Sequence, residues 1–198
     1  MTFEQLLIKR RSIYNLNKNI PQNSHQIEKI LHIALKYCPS AFNSQSGRMI
    51  LLQQNAHIKF WQLTADKLKT KITPKQFITT KQKIDSFAAA NGTILFFNDN
   101  NTIIEFQKRF PLYKENFSIW TEQAQGILQF IVWTLLAEQN IGASLQHYNP
   151  LIDNEVQKTF NYPPSWQLCA QMPFGNITTP ANTKTFLPLN ERLKIFTN

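Results

Sequence analysis

Apolar positions along the 198-residue chain follow two patterns, helical spacing and short continuous runs. Ile27, Ile30, Leu31, Ala34 and Leu35 repeat at three and four residues after Asn23 or Ser24, either of which can cap a helix, and Pro39 stops it. Before it, Thr2-Phe3-Glu4-Gln5 has the form of a capping box, so a short helix carries Leu6 and Leu7 and ends near Arg10. Residues 58–68 and 74–87 read as two further helices, the second opened by Thr73-Pro74. The longest pattern spans 118–139, where Ala124, Ile127, Leu128, Ile131, Val132, Leu135 and Leu136 make a broad apolar face, with Gly142 as its stop. A short helix at 154–160 ends before Pro163-Pro164.

The continuous runs predict strands at 49–52, 93–97, 143–146 and 166–172, with 192–196 as a terminal one. Thr93-Ile94-Leu95-Phe96-Phe97 is β-branched and aromatic without alternation, the mark of a strand buried on both faces. Helices and strands alternate irregularly. The pattern therefore predicts an α+β fold with a mixed central sheet flanked by helices, rather than strict βαβ repetition. No repeat, low-complexity tract or linker divides it, so residues 1–198 are read as a single domain.

Composition narrows the function classes. Apolar residues at 42% and charged residues at 17% describe a globular chain. No long uncharged apolar run suggests a membrane span, and the N-terminus lacks the form of a signal peptide. Cys38 and Cys169 lie far apart without metal-ligand spacing. A cytoplasmic protein with two free thiols, no membrane partner and no metal is expected. The formal charge of +9 suits an anionic partner, yet much of it lies in the seven lysines between Lys59 and Lys83, where a solvated lysine face accounts for it.

The five glycines (47, 92, 126, 142, 175) are too dispersed for GxGxxG or GxxxxGK[ST], which removes the common phosphate cradles. There is no GxSxG and no HExxH, and no histidine stands at metal spacing from a carboxylate or thiol. Any bound phosphate must be held by side chains of Arg, Lys and Ser or by helix ends.

Three segments carry candidate chemistry, each at the edge of a regular element. Lys9-Arg10-Arg11-Ser12 offers two guanidiniums and a hydroxyl to a phosphate, although cations at a helix C-terminus explain the arginines equally well. Cys38-Pro39-Ser40-Ala41-Phe42-Asn43-Ser44-Gln45-Ser46 is rich in groups that pair with a polar heterocycle, or is a plain polar loop. Asn140-Ile141-Gly142-Ala143-Ser144-Leu145-Gln146-His147-Tyr148-Asn149-Pro150 joins the long helix to a strand and a turn.

Together these segments resemble the nitroreductase family of flavoproteins. The family's arginine-x-serine signature corresponds to Arg10-Arg11-Ser12. Its proline-serine-x-x-asparagine-serine-glutamine loop corresponds to Pro39-Ser40-Ala41-Phe42-Asn43-Ser44-Gln45, intact in order and spacing. Its C-terminal lysine before a leucine-proline step corresponds to Lys184-Thr185-Phe186-Leu187-Pro188. The resemblance implies FMN in a groove between the subunits of a homodimer. Arg10, Ser12 and Lys184 would hold the phosphate, with Arg11 contributing. Ser40, Asn43 and Gln45 would contact the ring and ribityl parts, some of them from the second subunit. Ser144, Leu145 and Gln146 would wall one ring face beside His147, whose backbone N–H would lie near flavin N5. Catalysis would then need no acid–base side chain: NADH or NADPH would pass a hydride to the flavin, and a nitroaromatic, quinone or other small acceptor would be reduced in a second half-reaction.

Three positions depart from the family's larger enzymes: Tyr14 and Phe186 replace common basic residues, and only Lys81 or Lys83 offers itself for the pyrimidine edge. With Leu145-Gln146-His147-Tyr148-Asn149-Pro150 and Met172-Pro173-Phe174-Gly175, they resemble the family's compact bacterial and fungal branch. Two alternatives belong to other classes. One is a flavin-binding storage or regulatory protein without turnover; the other is a basic nucleic-acid-binding domain, for which no RNA or DNA motif is visible.

Overall fold

In the computed structural model, which describes residues 1–197, Thr2 and Gln5 close the expected capping box and start α1 (Phe3–Lys9). Asn23 rather than Ser24 caps α2 (Ser24–Tyr37), its side chain accepting the Gln26 N–H. Then come α3 (Gln54–Lys69), α4 (Pro74–Ala88), α5 (Asn100–Arg109), α6 (Lys114–Glu138) and α7 (Asp153–Phe160). Helix α5 follows no pattern recognised in the sequence. It buries no residue fully, so its apolar positions leave little trace, and its start depends on Asp99 accepting the Asn101 N–H.

The strands are β1 (Leu16–Asn17), β2 (Gly47–Gln53), β3 (Gly92–Asp99), β4 (Ile141–Ala143) and β5 (Trp166–Ile177). They form one sheet in the order β1-β5-β3-β2, with β4 also paired to β5. The fold is α+β as the pattern predicts. The sheet is less mixed than expected: every ladder is antiparallel, and parallel pairing among the described residues is confined to the Ser12–Ala143 bridge. Two successive helices, α3 and α4, separate β2 from β3. The second helix undoes the return made by the first, and the next strand enters antiparallel.

Strand β3 is buried throughout, and its alternate side chains serve two cores. Ile94 and Phe96 join Ile27, Leu31, Leu128 and Val132 beneath α2 and α6. Leu95 and Phe97 face the other way, against Phe60, Trp61, Phe87 and Val156 from α3, α4 and α7. A helix–sheet–helix sandwich results, and it explains why the sequence of β3 shows no alternation.

Several boundaries differ from the sequence reading. The strand expected at 143–146 lies earlier, as β4 at Ile141–Ala143, with Gln146 joined to Gln171 only by an isolated bridge. The long helix α6 begins at Lys114 rather than 118. Helix α6 ends at Glu138 with Asn140 in the left-handed conformation (φ 60°), so Asn140 and not Gly142 makes the stop. Gly142 instead lies inside β4, where a Cβ would meet Ile177 Cγ1 at 2.7 Å and Leu16 Cδ2 at 2.8 Å. Strand β5 runs through Pro173 to Ile177, past the expected end at Met172. The terminal strand expected at 192–196 is absent: a 3-10 turn at Leu189–Glu191 precedes residues without regular structure, and Leu193, Ile195 and Phe196 are exposed. Their apolar pattern finds no partner strand within this chain.

Candidate functional site

The turn after α1 places Arg10, Arg11 and Ser12 along one wall of a cleft of about 480 Å³, and residues 179–185, Lys184 among them, form the opposite wall. No carboxylate stands among its described lining residues. Arg11 Nη2 donates to the Asn182 carbonyl at 2.6 Å and so ties the two walls together. The Arg10 guanidinium lies over the Trp133 ring, 4.5 Å from its centroid, while Trp133 Nε1 donates to the Ala143 carbonyl at 3.2 Å. Arg10 Nε is buried without an acceptor. Burial first, and the adjacent Arg11 charge second, push the Arg10 pKa below its ordinary value, although the group stays protonated. An anion between the walls would offset the repulsion between the adjacent Arg10 and Arg11 charges. Lys184 Nζ rests 5.3 Å from the centroid of the Phe186 ring, and Tyr14 also lines the cleft.

The 144–148 segment adjoins this cleft because Ser12 bridges to Ala143 and the Ile13 N–H donates to the Ala143 carbonyl at 2.9 Å. Ser144 and Gln146 are buried, Leu145 and Tyr148 are half-buried, and His147 is exposed. Gln171 of β5 organises the segment. Its carbonyl takes the Gln146 N–H at 2.7 Å, its N–H donates to the Gln146 carbonyl at 2.9 Å, and its Oε1 takes the Tyr148 N–H at 2.7 Å. The two flanking amides are thereby used, and among the described residues no acceptor takes the His147 N–H.

The 39–45 loop lies elsewhere. Ser40 and Gln45 line a second cleft of about 260 Å³ together with Cys38, Arg48 and Gln125. Asn43 lies in the same turn but is not among its lining residues. The Gln45 N–H donates to Ser40 Oγ at 3.0 Å, and Arg48 Nη1 donates to the Gln45 carbonyl at 2.6 Å. Arg48 Nη2 also pairs with Asp99 Oδ2 at 2.8 Å. The two clefts share no lining residue. Of the residues singled out in the sequence, one chain thus gathers Arg10, Arg11, Ser12 and Lys184 and leaves Ser40, Asn43 and Gln45 apart; Ser144, Leu145, Gln146 and His147 follow Ala143, which is bridged to Ser12, but line neither cleft. Lys81 is paired with Asp85 and Lys83 lies over Phe87 on α4; neither lines either cleft.

A family model described as the nitroreductase family matches residues 7–176, most of the chain. This protein belongs to the nitroreductase family. Nitroreductase FRM2 of Saccharomyces cerevisiae is 29% identical over 180 residues, covering 90% of this chain and 89% of the yeast protein. Among solved structures, nitroreductase CinD from Lactococcus lactis in complex with chloramphenicol shares 42% identity and superposes with a TM-score of 0.91, over 99% of this chain and 100% of that one. The same Lactococcus protein in complex with 4-nitrophenol gives the same identity, coverage and TM-score.

Residues of this nitroreductase-family chain that sequence reasoning missed lie far from the motifs in sequence. Trp133 reads as one more apolar residue of α6, yet it carries Arg10. Gln171 sits in a strand, and only its pairing with Gln146 shows that it spaces the 146–148 amides. Arg48 is fixed by Asp99 across the β2–β3 pair. Each role arises from tertiary neighbours, which no local spacing in the sequence records.

Proposed function

We propose that this protein is an FMN-dependent oxidoreductase that draws a hydride from NADH or NADPH and reduces small nitroaromatic, quinone or related acceptors, acting as a cytoplasmic homodimer. The observation that carries the reading is the gathering of Arg10, Arg11, Ser12 and Lys184 around one cleft with no carboxylate among its described lining residues. That donor set fits a phosphomonoester, and a single such cleft fits FMN better than a dinucleotide. Bound there, FMN supplies the hydride-accepting and hydride-donating chemistry of both half-reactions.

The chain's own residues bind and orient. Arg10, Ser12 and Lys184 would hold the phosphate, with Arg11 fixing the far wall through Asn182. Ser144, Leu145 and Gln146 would wall the ring. The His147 N–H, left open by its neighbours' bonds to Gln171, would donate to the ring nitrogen that carries the hydride. Neither cysteine offers a reactive thiolate: burial raises the pKa of Cys38 and pushes that of Cys169 up to about 11.

The separation of Ser40, Asn43 and Gln45 from the phosphate cleft supports a site completed by a second copy, whose loop would supply the ring contacts. Exposed Phe186, Leu189, Leu193, Ile195 and Phe196 support the same arrangement, since a partner would cover them. The nitroaromatic class is supported by the chloramphenicol and 4-nitrophenol complexes of the Lactococcus relative.

The test is the absorption spectrum of the purified protein before and after anaerobic NADH or NADPH. A flavin spectrum that bleaches, with FMN released on denaturation, is expected. A colourless protein that takes up no added FMN overturns the reading; a yellow protein that neither nucleotide reduces supports the storage or regulatory alternative.

A further inference from the structure

Phe42 occupies a conformation that a bulky side chain rarely adopts. Its φ is 54° and its ψ 22°, and Asn43 and Gln45 are also left-handed, with φ of 52° and 49°. Positive φ is uncommon outside glycine and is an outlier for an aromatic residue, so the surrounding structure must hold it in place. Burial does not do this alone, because Phe42 remains 48% exposed. Its neighbours do. The Phe42 ring lies 4.4 Å from Phe110, 5.7 Å from Tyr113 and from Phe117, and 6.0 Å from Trp120, centroid to centroid. These four aromatics come from the end of α5, the 3-10 turn at Pro111–Tyr113 and the start of α6. Contacts at these separations and tilts are attractive beyond the area they bury.

The turn so held has a defined shape. The Asn43 N–H donates to the Ser40 carbonyl at 2.9 Å, the Ser44 N–H to the Ala41 carbonyl at 3.1 Å, and the Gln45 N–H to Ser40 Oγ at 3.0 Å. Arg48, from β2, holds the Gln45 carbonyl, and the Phe42 ring holds the turn to the aromatic cluster. Without the ring the three left-handed residues would be free to relax toward ordinary backbone conformations, which would break these bonds.

We propose that Phe42 is a positioning residue whose ring, latched into the Phe110–Tyr113–Phe117–Trp120 cluster, holds the 40–45 turn in the shape that presents its hydroxyl and amide groups to the cofactor. The proposal rests on the reading of that turn as a flavin contact. Its local half is tested without flavin. Hydrogen exchange of the apoprotein is expected to show the Asn43, Ser44 and Gln45 amides exchanging at least tenfold faster in Phe42→Ala than in the wild type, with β2 and β3 amides unchanged. Unchanged exchange at all three amides overturns the latch.

FMN titration tests the functional half. Phe42→Ala should bind FMN at least tenfold more weakly, Phe42→Tyr should restore binding to within about threefold, and acceptor kcat at saturating FMN should change less than FMN affinity. Phe42→Gly separates the ring from the backbone. Glycine adopts a positive φ freely, so wild-type affinity in that variant overturns the latch, whereas affinity as weak as that of Phe42→Ala supports it. If the wild type binds no FMN, the flavin reading fails while the exchange result still decides whether Phe42 holds the turn.

Discussion

The guanidinium of Arg10 lies over the indole of Trp133, 4.5 Å from its centroid, and this contact holds a cation of the arginine-lined cleft from a helix more than a hundred residues away in sequence. Trp133→Leu keeps the apolar bulk but removes the aromatic face. A cation–π contact contributes about 0.5–2 kcal/mol, so FMN affinity should fall by roughly 2- to 30-fold. Arg10→Ala also removes the charge-assisted bond, about 1.5–3 kcal/mol, and should cost roughly tenfold to over a hundredfold. Titration of apoprotein with FMN measures both; equal affinity in all three proteins contradicts this role for Arg10.

Lys184→Ala should weaken FMN binding by a similar factor, about tenfold to a hundredfold, without lowering the melting temperature of the apoprotein. The side chain is exposed and rests over the also exposed Phe186 ring, so it contributes little to the fold. An unchanged dissociation constant would remove Lys184 from the phosphate site.

The separation of the two clefts leads to a mixing experiment. If Arg10 of one copy and Asn43 of the other share a site, combining Arg10→Ala and Asn43→Ala proteins creates mixed dimers with one intact site each. FMN bound at wild-type affinity should then be recovered after the subunits exchange. No recovery in verified mixed dimers would place both residues in a site made by one chain.

The exposed His147 side chain is predicted to be dispensable. His147→Ala keeps the backbone N–H and should retain flavin reduction by NADH or NADPH within about tenfold, whereas removing an acid–base group costs about 10²–10⁴. His147→Pro removes the N–H and should be far slower, provided its circular dichroism matches the wild type. Stopped-flow reduction of bound flavin is the measurement, and a hundredfold loss in the alanine variant would show that the imidazole itself is required.

His57 links stability to pH. It is 2% exposed, with Nε2 3.1 Å from the Ala88 carbonyl and Nδ1 2.9 Å from Thr93 Oγ1, and Thr93 Oγ1 also takes the Trp61 Nε1–H. These partners fit the neutral Nε2–H form. Burial lowers its pKa, more than its hydrogen bonds to the Ala88 and Phe87 backbone raise it. The unfolded chain therefore binds this proton at a pH where the folded chain does not. Stability is full above the ordinary histidine pKa of about 6.5 and falls as pH drops below it, by at most about 1.4 kcal/mol per pH unit from this group. Urea unfolding between pH 7.5 and 5 should show that loss in the wild type and a flatter profile in His57→Gln. Parallel profiles would assign the pH dependence to other groups.

The sequence made much of this molecule legible. The capping box at Thr2, the Thr73-Pro74 start of α4 and the apolar stripe of α2 announced their helices, because caps and periodicity are local. The run at β3 revealed a central strand because two cores bury it. What escaped depends on distant partners. Helix α5 buries too little to leave a stripe, Gly142 serves close packing rather than a helix stop, and the apolar residues at 192–196 have no strand to pair with in this chain. In the site, the motifs singled out Arg10, Arg11, Ser12 and Lys184, which the fold gathers in one cleft, but the contacts of Trp133, Gln171 and Arg48 arise only in the folded chain.

Strand β5 has a mechanical consequence. It is hydrogen-bonded to β1, which follows the arginine turn, to β4, and through Gln171 to the segment bearing His147. The arginine turn and the segment bearing His147 therefore hang from one beam and open together, since separating β5 from its neighbours releases both. A ligand that seats only at the arginine end should stiffen the far end without touching it. Inorganic phosphate alone should slow amide exchange along the whole of β5 and at Gln146 and Tyr148, which would make the empty cleft a communicating unit before any flavin arrives.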